Sequence, residues 1–164
     1  MFSWFGKVSF VAYTKVSDFA VHLKDGRLMG SECKKCGATN FPPRADCADC
    51  LSDDFSYREV SGRGTVYTYS VIAAAPTGFE EEVPYTVVVV DLEEGGRLLA
   101  WLGDTIGKNA IEIGMPVQVV PRIFDEIEQI KVYYTVEQPG TTWGKAPQAS
   151  PGASPIRRGP PAAG

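Results

Sequence analysis

Four cysteines crowded into one stretch constrain this chain more than any other feature. They form two Cys-x-x-Cys pairs, Cys33 with Cys36 and Cys47 with Cys50, and no other cysteine occurs in the 164 residues. Each pair closes a tight turn that directs both sulfurs to one centre, and Gly37 can take the positive φ that such a turn needs. Four thiolates in a tetrahedron select zinc first and a rubredoxin-like iron second. Two disulfides are the third alternative, and nothing else marks the chain as secreted.

A metal site of this composition is expected to be structural. A catalytic zinc usually keeps an open position for water beside three protein ligands, whereas four thiolates close the coordination shell. The site also uses every thiol of the chain, so no cysteine remains as a nucleophile. The one histidine, His22, lies in a predicted short helix, where we expect it to pack or to face solvent.

Composition narrows the class of protein. Hydrophobic residues make up 44% and charged residues 22%, which is ordinary for a soluble globular chain. The formal net charge of −4 argues against non-specific nucleic-acid binding, which depends on Lys and Arg at phosphates. The N-terminus lacks a basic region followed by an uninterrupted apolar core. No apolar run approaches the roughly eighteen residues that span a bilayer. We therefore expect no membrane contact and a cytoplasmic location.

Residues 1–32 are predicted to form an aromatic N-terminal segment followed by a short helix. Ser17 and Asp18 offer N-cap chemistry for a helix of two or three turns that starts at Phe19, and Asp25-Gly26 ends it. The preceding segment is expected either to cover the chain's own barrel or to dock on a partner. Its aromatic residues are Phe2, Trp4, Phe5, Phe10 and Tyr13.

Residues 33–56 are predicted to form a rubredoxin-like zinc ribbon. A strand over 27–32 leads into the first cysteine turn, and consecutive prolines impose an extended loop over 39–44. Lys34, Lys35 and Arg44 give this ribbon a basic edge. That edge is either a solvated surface or a contact to phosphate or to an acidic patch of another protein.

Residues 57–136 show strand patterns with a period of two. The predicted strands cover 65–72, 84–92, 97–102, 117–123 and 130–136, and Gly62 with Gly64 marks a bend or bulge before the first of them. Five strands without a long helix between them suggest a small Greek-key barrel, most commonly an OB-fold. In the last strand one face is predicted to be core; it carries Ile130, Val132, Tyr134 and Val136.

Residues 137–164 are predicted to be an extended tail. Pro, Gly and Ala fill fifteen of the twenty-five positions from 140 onward. Such a segment cannot bury enough surface to fold alone. We expect a partner subunit to order it.

These motifs together resemble one known family, the zinc-ribbon/OB-fold proteins catalogued as domain-of-unknown-function family thirty-five. The resemblance covers about residues 18–136 and leaves out the aromatic N-terminus and the proline-rich tail. The matching positions are Arg27 to Gly30, Cys33 to Gly37, Phe41 to Arg44, Cys47, Cys50 and Gly62 to Tyr69.

The resemblance implies a non-catalytic subunit that binds a thiolase-fold partner, in a heterotetramer built on a thiolase dimer. It implies structural Zn²⁺ at the four cysteines, and CoA or acyl-CoA as a ligand of the complex, at or near the interface. Relatives that act on bulky or aromatic acyl-CoA compounds, including benzoylsuccinyl-CoA, suggest aromatic degradation here. If this chain contacts CoA, the candidates for its phosphates are Lys34, Lys35, Arg44 and Arg63.

Two other classes of function remain open. An OB-fold can bind single-stranded nucleic acid through stacked aromatic residues, here Tyr67, Tyr69, Tyr133 and Tyr134. The scattered cations and the acidic run at residues 80–82 disfavour that reading. A stand-alone enzyme would have to use carboxylates, for which the candidates are Asp91, Asp104 and Glu112. Those acids lie at predicted strand ends and turns, where a solvated charge is the ordinary reading.

Overall fold

A computed structural model describes residues 14–142, except 75, 77–79, 81 and 125–130, together with 144–145. The side chains of 124, 131, 132, 144 and 145 are outside this description. In chain order the elements are α1 (Phe19–Lys24), β1 (Met29–Cys33), β2 (Thr39–Asn40), β3 (Phe55–Glu59), β4 (Arg63–Ile72), β5 (Tyr85–Leu92), β6 (Arg97–Leu102), β7 (Pro116–Phe124), β8 (Lys131–Glu137) and β9 (Gly144–Lys145).

Five strands close into a barrel in the order β4-β5-β6-β8-β7. Residues 63–65 of β4 pair with residues 116–118 of β7, and this pairing joins the two ends of the sheet. The β6–β8 pairing is parallel, and the other pairings around the barrel are antiparallel. The predicted mainly-β fold with a five-stranded barrel is therefore confirmed.

The first barrel strand, β4, is preceded by a bend and contains a bulge, and the two lie at different residues. Gly62 has φ +73°, as a bend requires, whereas the register of β4 with β5 shifts between Val66 and Thr68. The extra residue is Tyr67, which the glycine pattern does not indicate. Gly64 meets a different demand, because a Cβ there would lie 2.3 Å from the carbonyl oxygen of Asp91.

The core lies inside the barrel and continues under α1. Its strand residues are almost all β-branched or leucine, namely Val66, Val88, Val90, Leu92, Leu98, Ala100, Val117, Val119 and Val136. On the predicted core face of β8, Val136 is fully buried and Tyr134 packs against the cluster. Ile130 and the side chain of Val132 lie outside the described part. The opposite face of β8 is also buried at Thr135 and Glu137, which the sequence pattern does not predict.

The helix α1 is shorter than expected and is capped differently. It has six residues, fewer than two turns, and buries Ala20 and Leu23. Asp18 occupies the N-cap but makes no side-chain cap hydrogen bond, because its φ of −72° and ψ of −8° are already helical. The helix does end at Asp25 and Gly26, as predicted, with Gly26 at φ +77°.

A second sheet, of three strands in the order β2-β1-β3, carries the cysteine region. Residues 29–33 of β1 pair with residues 55–59 of β3 throughout. The strand β3 thus belongs to the ribbon sheet, although it crosses the predicted boundary between ribbon and barrel at residues 56 and 57. Beyond the barrel, β9 pairs in parallel with β7 and adds a two-residue strand that the tail composition does not predict. Residues 1–13 and 146–164 lie outside the described residues. No helix in the described part is long and apolar enough to cross a membrane.

Candidate metal centre and its surroundings

The four cysteine sulfurs converge on one point. All four Sγ atoms lie within 4.8 Å of one another. The Cys33–Cys50 and Cys36–Cys47 Sγ separations are 3.6 and 3.5 Å. Sulfurs held about 2.3 Å from a tetrahedral zinc are about 3.8 Å apart, whereas disulfide sulfurs are about 2.05 Å apart. The spacing fits a four-thiolate metal site and not a pair of disulfides.

Two equivalent backbone turns bring the sulfurs together. In the first, the N–H of Gly37 donates to the carbonyl of Cys33 at 2.8 Å. In the second, the N–H of Leu51 donates to the carbonyl of Cys47 at 3.1 Å. Gly37 takes φ +77°, as its position after the first pair predicts, and Leu51 takes φ +59°. The left-handed conformation costs a non-glycine residue about 1–2 kcal/mol, so Leu51 is strained where Gly37 is not.

Hydrogen bonds and neighbouring thiols shift the pKa values of the Cys33 and Cys36 thiols in opposite directions. The backbone N–H of Cys36, aided by that of Lys35, lowers the pKa of the Cys33 thiol to about 6 against the effect of burial. For Cys36 the N–H of Ala38 lowers the pKa, but contacts with the other thiols outweigh it and raise the pKa to about 12. A divalent cation would supply the positive charge that holds all four as thiolates. This donor set therefore fits zinc.

The metal centre lies at the surface of the ribbon. Cys33 and Cys47 are buried, Cys50 is intermediate and Cys36 is exposed. His22 lies outside this set: its ring packs against Tyr57 with centroids 4.9 Å apart. Catalytic zinc sites usually have histidine or carboxylate ligands and keep one position open for water. Among the described residues, no histidine or carboxylate belongs to the four-cysteine cluster.

The four basic candidates for CoA phosphates differ in their surroundings. Lys34 forms an ion pair with Asp54 at 2.8 Å, beside the second cysteine turn. Arg63 belongs to the barrel and pairs with Glu93 at 2.9 Å, in the turn between β5 and β6. Lys35 and Arg44 are exposed on the ribbon. Neither of them makes an ion pair with another residue of the described ranges.

The carboxylate candidates are in ordinary surface surroundings. Both oxygens of Asp91 accept hydrogen bonds from the Arg97 guanidinium, at 2.5 and 3.1 Å. The hydrogen bond with Arg97 lowers the pKa of Asp91. Asp104 and Glu112 are exposed in the connection between β6 and β7. The structure brings none of these three acids together in a pair.

The four candidate tyrosines do not line one groove. The predicted stacking surface for single-stranded nucleic acid is therefore not formed by this set of residues. Tyr133 and Tyr134 are successive residues of β8 and therefore point to opposite faces. Tyr134 packs between Phe19 and Phe41, with ring centroids 6.3 and 5.7 Å away. Tyr67 is half exposed, but the Arg97 guanidinium covers its ring at 3.4 Å from the centroid.

A buried polar network on β7 and β8 was not predicted from the sequence. Arg122 and Glu137 form an ion pair there, and the Thr135 hydroxyl lies between them at 3.1 Å from Arg122 Nε and 2.6 Å from Glu137 Oε1. Burial raises the pKa of Glu137, but hydrogen bonds from Thr105, Thr135 and Arg122 outweigh it and lower that pKa. The sequence does place Arg122 within predicted strand 117–123 and Glu137 directly after predicted strand 130–136. These positions indicate an ion pair only once the register of the two strands is known.

Comparisons with known proteins agree with this architecture. Residues 21–56 match the family model described as ChsH2, rubredoxin-like zinc ribbon domain, and residues 57–122 match that described as ChsH2, C-terminal OB-fold domain. A DUF35 domain-containing scaffold protein of Methanocaldococcus jannaschii is 39% identical over 64% of this chain and 75% of its own length.

Two further relatives bear names of enzyme complexes. The benzoylsuccinyl-CoA thiolase subunit BbsA of Thauera aromatica is 36% identical over 48% of this chain and 55% of its own length. A solved structure titled Ltp2-ChsH2(DUF35) aldolase is 34% identical, with a TM-score of 0.58, and the match covers 72% of this chain and 89% of that one. By the share and identity of these matches, and by its ribbon and barrel, the chain belongs to the DUF35 family.

Proposed function

We propose that this protein is the non-catalytic, zinc-binding scaffold subunit of a complex whose thiolase-fold partner acts on acyl-CoA. The observation that carries the proposal is that every cysteine of the chain lies in one four-sulfur cluster. Thiolytic carbon–carbon cleavage needs a nucleophilic cysteine, a histidine and a second thiol for proton transfer. This chain has no spare thiol, and its one histidine packs against Tyr57. The chemistry therefore falls to the partner.

The names of the relatives support this class of complex. One is called a scaffold protein, one a thiolase subunit, and the related solved structure an aldolase. Within the class we favour an aromatic acyl-CoA such as benzoylsuccinyl-CoA, by analogy with BbsA. We further propose a heterotetramer, with two copies of this chain on a thiolase dimer, in the cytoplasm, where thiols stay reduced for metal binding.

The metal in this proposal is Zn²⁺, bound by Cys33, Cys36, Cys47 and Cys50. Its role is to fix the ribbon, because four thiolates leave no open coordination position. The Sγ separations of 3.5 and 3.6 Å support this assignment.

Contact of this chain with the CoA phosphates is a finer part of the proposal. Lys35 and Arg44 are the strongest of the four candidates, because Lys34 and Arg63 already neutralise Asp54 and Glu93. Reversal of either charge, Lys35→Glu or Arg44→Glu, should weaken CoA binding by the complex, measured by calorimetry. Arg27→Glu is a control: Arg27 is exposed, pairs with Glu59 and is not one of the four candidates. CoA affinity unchanged by both test variants would remove this chain from the phosphate site.

The proposal is tested by purifying the tagged chain from its source cells, identifying co-purifying proteins by mass spectrometry and measuring zinc in the same sample. We expect one stoichiometric thiolase-fold protein and one zinc per chain. A chain that emerges alone would contradict the scaffold role. A chain that emerges with single-stranded nucleic acid would favour the alternative OB-fold function instead.

A further inference from the structure

Leu51, the residue after the second cysteine pair, combines two unfavourable features. Its backbone has φ +59°, and it is the one non-glycine residue with positive φ in the described ranges. The residue is 82% exposed, which is the largest exposure among the exposed large hydrophobic residues of the described ranges. Backbone strain of this kind persists only where the surrounding structure imposes it, here the metal-binding turn, and strained residues cluster at functional sites.

The fold of the ribbon does not need a side chain at this position. Gly37 occupies the equivalent position after the first cysteine pair, with the same left-handed backbone and the same hydrogen bond to the first cysteine of its pair. A Cβ at Gly37 would meet no atom within 4 Å, so space is not what distinguishes the two turns. Glycine would adopt the backbone of Leu51 without steric cost. The leucine side chain therefore serves neither the turn nor the core.

We propose that Leu51 is an anchor residue that inserts into an apolar pocket on the catalytic subunit of the complex. The inference rests on the proposed scaffold function and names the surface that performs it. The hydrogen-bonded turn already holds the backbone of Leu51, so binding has to order only its side chain. Such anchors in pockets carry much of the binding energy of protein interfaces.

The charges around Leu51 indicate what kind of surface receives it. Four carboxylates lie in or next to the second cysteine turn in the sequence, Asp46, Asp49, Asp53 and Asp54. Lys15 and Lys34 pair with Asp53 and Asp54, whereas Asp46 and Asp49 are exposed without an ion pair to any described residue. We expect the pocket to be apolar with Lys or Arg at its rim. Two copies of this acidic tip repel each other, and so do the tip and a phosphate backbone.

The test uses the catalytic subunit that co-purifies with the tagged chain. We expect Leu51→Gly to weaken binding of that subunit about ten- to a hundredfold, as expected for loss of one buried leucine. The free variant should unfold at the same temperature as the wild type or higher, because glycine relieves the strained backbone. The matched control is Ile113→Ala: Ile113 is 69% exposed, in the connection between β6 and β7, and its loss should leave binding unchanged.

A photoreactive benzoylphenylalanine at position 51 gives a second readout that does not depend on affinity. It should cross-link to apolar residues of the catalytic subunit, while the same probe at position 113 should not. If the wild type binds the catalytic subunit and Leu51→Gly binds it with the same affinity, the anchor role of Leu51 is wrong and the scaffold function stands. Equal losses in Leu51→Gly and Ile113→Ala, or cross-links between copies of this chain, would also overturn it. Failure of the wild-type chain to bind the subunit would overturn both proposals.

Discussion

Arg122 and Glu137 form a buried ion pair across β7 and β8, with 2.5 Å between Nη2 and Oε1. Their side chains are 7% and 0% exposed. The second carboxylate oxygen, Oε2, accepts hydrogen bonds from the N–H and the hydroxyl of Thr105, at 3.0 and 2.5 Å. Glu137 therefore fastens the connection between β6 and β7 to the last strand of the barrel.

Removal of this carboxylate should destabilise the protein strongly. Glu137→Ala leaves Arg122 as a buried charge without its partner, which costs about 3–5 kcal/mol of unfolding free energy. Denaturant unfolding followed by circular dichroism measures the loss. Asp91→Ala, which breaks the exposed pair with Arg97, is the control and should cost much less. Equal losses in the two variants would mean that the buried network adds nothing.

The same carboxylate should make stability depend on pH in the acid range. Its pKa in the folded protein is below the ordinary value of 4.5, so the folded state favours the ionised form. The stabilisation is complete above pH 4.5 and is lost as pH falls through the lower folded-state pKa. We expect the stability difference between the wild type and Glu137→Gln to shrink as pH is lowered from 6 towards 3. A difference constant over that range would show that Glu137 does not titrate as inferred.

Gly103 is required by its contact with Glu137. A Cβ at Gly103 would lie 1.7 Å from Oε1 of Glu137, so Gly103→Ala must displace the carboxylate from its network. We expect a loss of about 1–3 kcal/mol, measured as above. Gly107→Ala is the matched control in the same connection, because its nearest neighbour would be the Cβ of Ala110 at 3.7 Å. It should be neutral or slightly stabilising. A neutral Gly103→Ala would contradict the packing described for this connection.

Removal of zinc should unfold the ribbon, because a structural metal contributes its binding free energy to folding. Treatment with a strong chelator, or Cys33→Ser, is expected to abolish zinc binding in elemental analysis. Amide exchange should then rise in β1 and β3, while the barrel strands keep their protection. Lys35→Ser, a change beside the ligands but outside the cluster, should retain the metal. Full protection of β1 and β3 after metal loss would show that zinc is not structural.

The sequence predicts the parts of this fold that depend on local patterns. Predicted strand 97–102 has the same bounds as β6, because an acidic and glycine-rich turn precedes an apolar run. The two cysteine pairs converge as predicted, since each turn aims its own sulfurs. Gly37 takes the positive φ expected of it for the same reason.

The remaining features depend on contacts between distant residues. Arg122 and Glu137 meet only because β7 and β8 pair in a particular register, which a period of two does not define. The bulge at Tyr67 lies just after the residues of β4 that pair with β7, in the part that pairs with β5. It therefore depends on strand pairings that no local pattern shows. Leu51 takes the positive φ that the repeated cysteine motif favours at this position, although its residue type, which disfavours that conformation, does not indicate it. The fold class was therefore predictable from the sequence, whereas the buried ion pair and the bulge were not.

Reconstitution from separated subunits tests whether this chain is a scaffold without catalysis of its own. Purified zinc-loaded chain, the co-purifying catalytic subunit, and their mixture are each assayed for cleavage of an aromatic 3-oxoacyl-CoA with free CoA. We predict no turnover by this chain, and turnover by the mixture at least about tenfold above the catalytic subunit alone. Turnover by the purified chain, or full activity of the catalytic subunit without it, would contradict the scaffold function.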